Sequence, residues 1–540
     1  IPEEPKALPR YARHLLVRAM KEGHSEDFIN STISKSLQER TEQILQDHHQ
    51  RLSGNQIHNA AVIILEVSTG NVVAYAGNTS SAGSRYHGDD VDIIKSRRST
   101  GSILKPFLFA AMLDEGKILP RTLVPDIPTM INGFSPQNFS KEYDGAVAAN
   151  QALIRSLNIP AVHMLRTYRY EKFHSLLKSM GMSTLDRSAD HYGLSLILGG
   201  AEGTLWDITG MYASMARTLN NFWKHPGKNR YSRNDFHQPH YINQLYNADV
   251  SQESGEDLEF TSWLSAASIF QTFDALKEVY RPGEESGWKY FNSSKKIAWK
   301  TGTSFGFRDG WAIGVSPHYA VGVWVGNADG EGRPGLTGTD AAAPLMFDIF
   351  AQLKETSWFR APTQEFEHIT ICRQSGYRNS AWCNDVDTVS VTRQGLQSTP
   401  CPFHKLVHLT SNKKFRVHNS CEPMEKIIQS GWFVLPPMQE YYFKSKNFSY
   451  KTLPPFRNDC SSSSQLVLMD LIYPKPDSKI FIPRELAGIE GKVIFELAHR
   501  NPGVTVYWHL DGTFVGSTKG SHSLQLKPPQ GTHFLTIVDE

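Results

Sequence analysis

The chain is 540 residues long, carries a formal net charge of +2, and is 40% hydrophobic and 20% charged. This length holds roughly two to four domains of 100 to 200 residues and a large core, while near-neutral charge gives no electrostatic basis for binding nucleic acid. No uninterrupted apolar run reaches the roughly 18 residues of a membrane-crossing helix, and the start lacks a charged-then-apolar leader.

Residues 30–52 carry apolar positions at helical spacing and end in a polar turn, which predicts a helix. Residues 60–76 read as a β-hairpin: an apolar run, the turn Ser68-Thr69-Gly70-Asn71, and a second run from Val72 to Tyr75. Helical segments lie between Ser102 and Lys300, and residues 297–304, 310–315 and 319–326 read as three consecutive strands. Together these predict a multidomain α+β chain whose core, over 59–362, is an antiparallel sheet with helices on both faces.

From about residue 363 the texture becomes short and polar, and all five cysteines, Cys372, Cys383, Cys401, Cys421 and Cys460, lie in this connecting segment (363–460). In an exported chain the leading expectation is two disulfides with one thiol left over and no metal. The rivals are free buried cysteines and a zinc site built from Cys372, Cys383, Cys401 and His404. Zinc is disfavoured by ten residues between the first two cysteines, where a knuckle has two to four. His48, His49, His237 and His240 read as surface histidines, and Trp432, Tyr441 and Tyr442 as packing at a domain seam beside prolines. After the run Ser461 to Ser464, six alternating segments (466–471, 492–498, 504–510, 513–516, 523–526 and 533–538), with Asp511-Gly512 as a hairpin turn, predict an Ig-like β-sandwich over 461–540.

Three short motifs stand in order within the core: Ser102-Ile103-Leu104-Lys105, Ser156-Leu157-Asn158 and Lys300-Thr301-Gly302-Thr303. A lone SxxK is weak, and Ser175 to Lys178 and Ser411 to Lys414 repeat it by chance. The chemistry assigns each residue a part. On a helix, i and i+3 share a face, so a neutral Lys105 amine can take the Ser102 hydroxyl proton. Burial near a second cation, Lys300, lowers the pKa of Lys105 in the required direction. Ser156 and Asn158 relay a proton and hold a substrate amide, and Gly302 lets an extended peptide lie against a strand edge.

The ordered set, with its context from Arg98 to Met112, Asp144-Gly145-Ala146-Val147 ahead of the second motif, and Leu198-Gly199-Gly200-Ala201-Glu202, resembles the penicillin-binding transpeptidases of the serine β-lactamase-like superfamily. The second motif follows the first by 54 residues and the third follows the second by 144, and the longer interval suits a transpeptidase better than a compact lactamase. No convincing glutamate after the second motif offers a deacylating base. The order of transpeptidase, cysteine segment and β module is similar to one branch of the bifunctional class A penicillin-binding proteins.

That resemblance implies a D,D-transpeptidase that attacks D-Ala-D-Ala stem peptides of peptidoglycan, forms an acyl-Ser102 ester, cross-links a second stem and binds β-lactams covalently. Ser102, Lys105, Ser156, Asn158 and Lys300 are the implied catalytic residues; Thr301, Gly302 and Thr303 bind substrate, with the backbone N–H groups of Ser102 and Thr303 as the oxyanion hole. No cofactor and no metal is implied. The alternatives are a D,D-carboxypeptidase and a weakly active penicillin-binding sensor or scaffold. The family also implies a membrane anchor and a glycosyltransferase domain upstream, with residues 1–58 as the end of that region and a linker, a place on the periplasmic face of the inner membrane, and a cell-wall protein partner for the C-terminal module.

Overall fold

The computed structural model describes residues 11–24, 28–80, 87–131, 134–224, 231–243, 262–282, 295–354, 357–460, 467–482, 491–501 and 503–539. Near-continuous apolar runs rather than alternation mark strands covered on both faces, and most of the core sheet is built from such runs. Its strands are β1 (Asn59–Glu66), β2 (Val72–Ala76), β3 (Ala298–Thr303), β4 (Asp309–Val315) and β5 (Tyr319–Gly326). They lie in the order β2-β1-β5-β4-β3, every neighbour antiparallel.

The helices cover the two faces as expected. A Cβ at Gly322 of β5 would lie 2.0 Å from Thr209 Oγ1 of the helix Leu205–Lys224, whereas one at Gly314 of β4 would lie 2.5 Å from Phe350 of the helix Ala343–Gln352. Gly322 pairs with Ile313, the residue beside Gly314, so the two glycines point to opposite faces. The predicted helix over 30–52 is Lys35–Ser53. Its Gln38 amide donates to the Tyr75 carbonyl (2.9 Å) and accepts from the Tyr75 N–H (2.7 Å), blunting the edge strand β2. The opposite edge is β3, which carries the third motif.

The segment ahead of the sheet packs on the core rather than trailing from it. The Arg18 guanidinium lies 3.8 Å from the centre of the Trp206 ring, and Tyr241 donates to Glu22 at 2.5 Å. His48 corrects the surface reading: it is buried and hydrogen-bonded to the Asp348 carboxylate at 2.6 Å. His237 and His240 are half-buried. No helix among the described residues is long and apolar enough to cross a membrane.

The cysteine segment forms two two-stranded sheets, Phe366–Cys372 with Val386–Thr392 and His404–Leu409 with Ile428–Phe433. The turn after Cys372 meets a hairpin of the core, Leu123–Asp126 paired with Gly145–Ala148, on which Phe433 of the second sheet also packs. Leu123 N–H donates to the Ser375 carbonyl (2.8 Å), and Thr392 Oγ1 to Leu113 O at the end of the helix that follows Ser102 (2.7 Å). The expected pair of disulfides with one leftover thiol is corrected. Cys421 and Cys460 are bonded, while Cys372, Cys383 and Cys401 are not. The three unbonded sulfurs converge on His404, the grouping that the metal-free expectation had set aside.

The β-sandwich follows the predicted segments closely: β6 (Met469–Tyr473), β7 (Val493–His499), β8 (Thr505–Leu510), β9 (Thr513–Lys519), β10 (Ser523–Leu526) and β11 (Leu535–Asp539). The expected start of the first strand, Leu466, lies outside the described residues. Two sheets, β6-β7-β10 and β9-β8-β11, enclose Phe495, Leu497, Val506 and Trp508. Asp511 (φ 50°) and Gly512 (φ 78°) turn β8 into β9, as the Asp-Gly signal requires.

The module is docked, not merely tethered. The helix Pro437–Lys446 lies between the core hairpin and the sandwich, and Met438 packs with Ile472, Ala498, Ile127 and Tyr442. Arg500 donates to the Glu440 carboxylate and to Leu435 O within this seam; the Glu440 side chain is 2% exposed and that of Arg500 11%. Tyr442 packs on Tyr143 with ring centres 5.3 Å apart, in keeping with the seam reading. Removing one partner of a buried ion pair leaves an uncompensated charge and costs about 3–5 kcal/mol. Glu440→Ala should therefore weaken the seam on that scale, seen as an earlier unfolding step in urea and as new protease cleavage near residue 460; an unchanged profile would remove Glu440 from this role.

Candidate active site

The helix Lys105–Asp114 is buried along nearly its whole length. Its first residue is thereby carried into the interior, and the Lys105 residue is 3% exposed. Ser102 lies in the turn 101–104 just ahead of the helix, a correction to the expectation that both share a helical face. Pro106, lacking an N–H, sits naturally in the first helical turn and sets the start there. The Ser102 turn is fixed by its neighbours: Tyr212 donates to Ile103 O (2.8 Å), Trp311 Nε1 to Ser99 O (2.8 Å) and Thr100 Oγ1 to Ala201 O (3.0 Å). Ser102 is half-buried.

The Lys105 ammonium reaches the second motif. It donates to Ser156 O (2.8 Å), Leu157 O (3.0 Å) and Asn158 Oδ1 (2.7 Å). Ser156 holds this position with a left-handed backbone (φ 57°), a conformation that a non-glycine residue keeps only where its surroundings impose it. Asn158 is the first residue of the helix Asn158–Tyr168. Its N–H and that of Ile159 donate to Asn138 Oδ1 (2.9 and 3.2 Å), and Asn138 Nδ2 donates to Asp126 Oδ1 (2.7 Å) on the core hairpin. Asn138 thus caps that helix with a side chain twenty residues away.

Lys300, on β3, is 1% exposed and donates to Ser156 Oγ (2.7 Å) and Thr301 O (2.8 Å). Two buried amines therefore flank the second motif, and among the described residues neither has a carboxylate partner. Burial drives the pKa of Lys105 well below the usual lysine value, with Lys300 adding repulsion, and burial pushes Lys300 down to about 7. Three acceptors around Lys105 suit its ammonium form, whereas desolvation favours the neutral amine, so a proton held there is readily given up.

The edge of β3 supplies the rest. Ser304 N–H pairs across the sheet with Asp309 O (3.0 Å), and ladder alternation turns the Thr303 N–H and C=O outward. They face the Ser102 turn: a Cβ on Gly101 would lie 2.7 Å from Thr303 N. The Thr303 hydroxyl accepts from Gly338 N–H (3.0 Å), which leaves its own proton to donate. Gly302 has an internal reason to lack a side chain, because a Cβ there would meet Thr100 O at 2.7 Å. Phe139, next to Asn138, and Phe307, which follows the third motif, meet edge to face at 6.2 Å, and Phe305 is 99% exposed. The sequence reading did not single out Asn138, Tyr212, Trp311 or these phenylalanines for the site. None carries a local pattern that announces its role.

Residues 60–216 match the penicillin binding protein transpeptidase domain, and residues 460–540 match the Penicillin-Binding Protein C-terminus Family. The first match takes in the first two motifs. The first match ends before Lys300, so the fold is what joins the third motif to the other two. The chain is similar to penicillin-binding protein 1C of Escherichia coli, 31% identical over 345 residues, which are 64% of this chain and 40% of that protein. It is also similar to penicillin-binding protein 1A of Aquifex aeolicus, 26% identical over 316 residues, 57% of this chain and 39% of the relative. The chain thus spans about two fifths of the length of these curated relatives. In fold it is similar to the crystal structure of penicillin-binding protein 1A from Haemophilus influenzae, with a TM-score of 0.53 at 16% identity, covering 74% of this chain and 78% of that one.

A lysine with a folded pKa of about 7 and an ordinary value of 10.5 binds fewer protons folded than unfolded between those limits. Stability therefore rises with pH through that window, and the full penalty is present below it. Lys300→Met should flatten this rise, with its largest gain over wild type at or below pH 7, measured by urea unfolding from pH 6 to 10. Parallel pH profiles for the two proteins would contradict a depressed Lys300.

Proposed function

We propose that this chain is the acyl-transfer part of a peptidoglycan D,D-transpeptidase. The observation that carries the reading is the meeting of all three motifs: Lys105 and Lys300 on Ser156 and Asn158, with the outward Thr303 backbone beside the Ser102 turn. In the proposed reaction, neutral Lys105 takes the Ser102 hydroxyl proton as Oγ attacks the carbonyl of the penultimate D-alanine. The N–H groups of Ser102 and Thr303 hold the tetrahedral oxyanion, and the hydroxyls of Thr301 and Thr303 hold the terminal carboxylate. The proton passes through Ser156 to the departing D-alanine amine as the C–N bond breaks, leaving an acyl-Ser102 ester. An amine of a second stem peptide then attacks, losing its proton to Lys105, and the C–Oγ bond breaks as Ser102 is reprotonated. A β-lactam acylates Ser102 the same way by ring opening.

With this reading go a place on the periplasmic face of the inner membrane, an anchor and a glycosyltransferase domain in the full-length protein, and a cell-wall partner for the C-terminal module. A second reading, a slowly acylating sensor or scaffold, draws on the three hydrogen bonds that commit Lys105 to the second motif. A fluorescent penicillin should label the protein covalently, and Ser102→Ala should abolish the label. Lys105→Ala should fold yet acylate about 100-fold more slowly, the scale for losing a general base. Label retained by Ser102→Ala at the wild-type level would place the nucleophile elsewhere. Release of D-alanine with cross-linked product from paired stem peptides separates a transpeptidase from a carboxypeptidase, which releases it without cross-links, and from a sensor, which labels without turnover.

A further inference from the structure

Away from this cleft, Cys372, Cys383, Cys401 and His404 bring four ligand atoms within 4.8 Å of one another. The three sulfurs stand 3.5, 3.5 and 3.4 Å from His404 Nδ1. Hydrogen bonding alone does not explain this. A neutral imidazole nitrogen has one in-plane lone pair and accepts from one thiol, so two further sulfurs at the same distance are left unaccounted for. Disulfide chemistry does not explain it either, since it joins two sulfurs at about 2.05 Å and leaves the third thiol against the ring. A single tetrahedral cation at the centre satisfies all four groups. Zinc takes sulfur at about 2.3 Å and histidine nitrogen at about 2.0–2.1 Å, which sets sulfur and nitrogen ligands about 3.6 Å apart.

We propose that Cys372, Cys383, Cys401 and His404 form a structural zinc site. Three thiolates and one imidazole are a soft, closed donor set that suits zinc and not magnesium or calcium, and four protein ligands leave no open position for catalysis. Cys372, Cys401 and His404 are buried, and Cys383 is half-buried. Donors surround the sulfurs as thiolates require: Ser375 Oγ–H donates to Cys401 Sγ (3.1 Å) and Ser380 N–H to Cys383 Sγ (3.3 Å). The ten-residue spacing that counted against zinc is bridged by a turn. Gly376 N–H returns to Cys372 O (2.8 Å), Cys372 N–H donates to Tyr377 O (2.8 Å), and Cys401 N–H donates to Arg378 O (2.7 Å).

The turn between the first two ligands also grips the core. Ser375 O accepts from Leu123 N–H, and Tyr377 donates to Leu123 O (3.3 Å). Leu123 begins the hairpin strand whose Asp126 holds Asn138, the cap of the Asn158 helix. The ion fastens the connecting segment to the transpeptidase domain behind the second motif.

The test is metal content, which is independent of acylation. The full chain, expressed with zinc in the medium and purified without chelator, should carry about one equivalent of zinc by elemental analysis. Cys401→Ser and His404→Ala should each drop it to below about 0.1. Because either variant could misfold, cobalt(II) exchanged into the wild-type protein provides a second reading: thiolate-to-cobalt charge transfer and the intense visible bands of four-coordinate cobalt are expected. Denaturation with chelator should release three thiols, where two disulfides would leave one. The proposal is overturned by a disulfide between any two of Cys372, Cys383 and Cys401 in a non-reducing digest, by zinc that persists in both variants, by the weak spectrum of six-coordinate cobalt, or by a reduced protein that takes up no zinc.

Discussion

Two buried amines organise this site. Lys105 and Lys300 are almost wholly buried, and their partners are neutral oxygens from a single short segment, Ser156 to Asn158, together with Thr301 O. A carboxylate beside either lysine would restore its ordinary pKa and fix the proton; its absence among the described residues leaves desolvation to set the balance. Buried amines are costly unless every proton is accepted. The backbone of the second motif is shaped to accept them, down to the left-handed Ser156. The convergence of three sequence-distant motifs is thus a requirement of solvation as well as of chemistry.

The hairpin Leu123–Asp126 with Gly145–Ala148 is the common beam behind that arrangement. One end of it holds Asn138 and, through it, the helix that presents Asn158; along its length lie the cysteine segment and the helix Pro437–Lys446, which in turn carries the sandwich. The C-terminal half is therefore mechanically continuous with the wall of the cleft, although every motif residue precedes it. Separate sequence texture and separate function do not require a loose joint. The apolar seam of Met438, Ile472 and Ala498 and the buried Arg500–Glu440 pair make this one firm.

Much of this architecture is legible in the residues themselves. Continuous apolar runs give β1, β4 and β5, because strands covered on both faces have no polar side to show, and the Asp511-Gly512 turn and period-2 segments give the sandwich nearly strand for strand. The order of the motifs is what points to the proposed acyl transfer, since only a few residue types can act as nucleophile, base and relay. What one-dimensional pattern leaves out is anything settled by two segments arriving at one point. The start of the helix at Lys105, the bond from Gln38 to the edge of β2, the burial of His48 against Asp348 and the remote cap from Asn138 are of that kind.

The cysteines and Gly302 show the boundary most clearly. Sequence by itself determined that the thiols belong to one segment and that a glycine stands in the third motif. Only the tertiary structure decided that Cys421 pairs with Cys460 while the other three meet around His404, and that Gly302 makes room for the Thr100 carbonyl. The physical reason is one of range. Propensity, periodicity and turn chemistry act over a few residues and are written locally, whereas ligand geometry, close backbone approach and desolvation depend on which distant segments share a volume of a few ångströms.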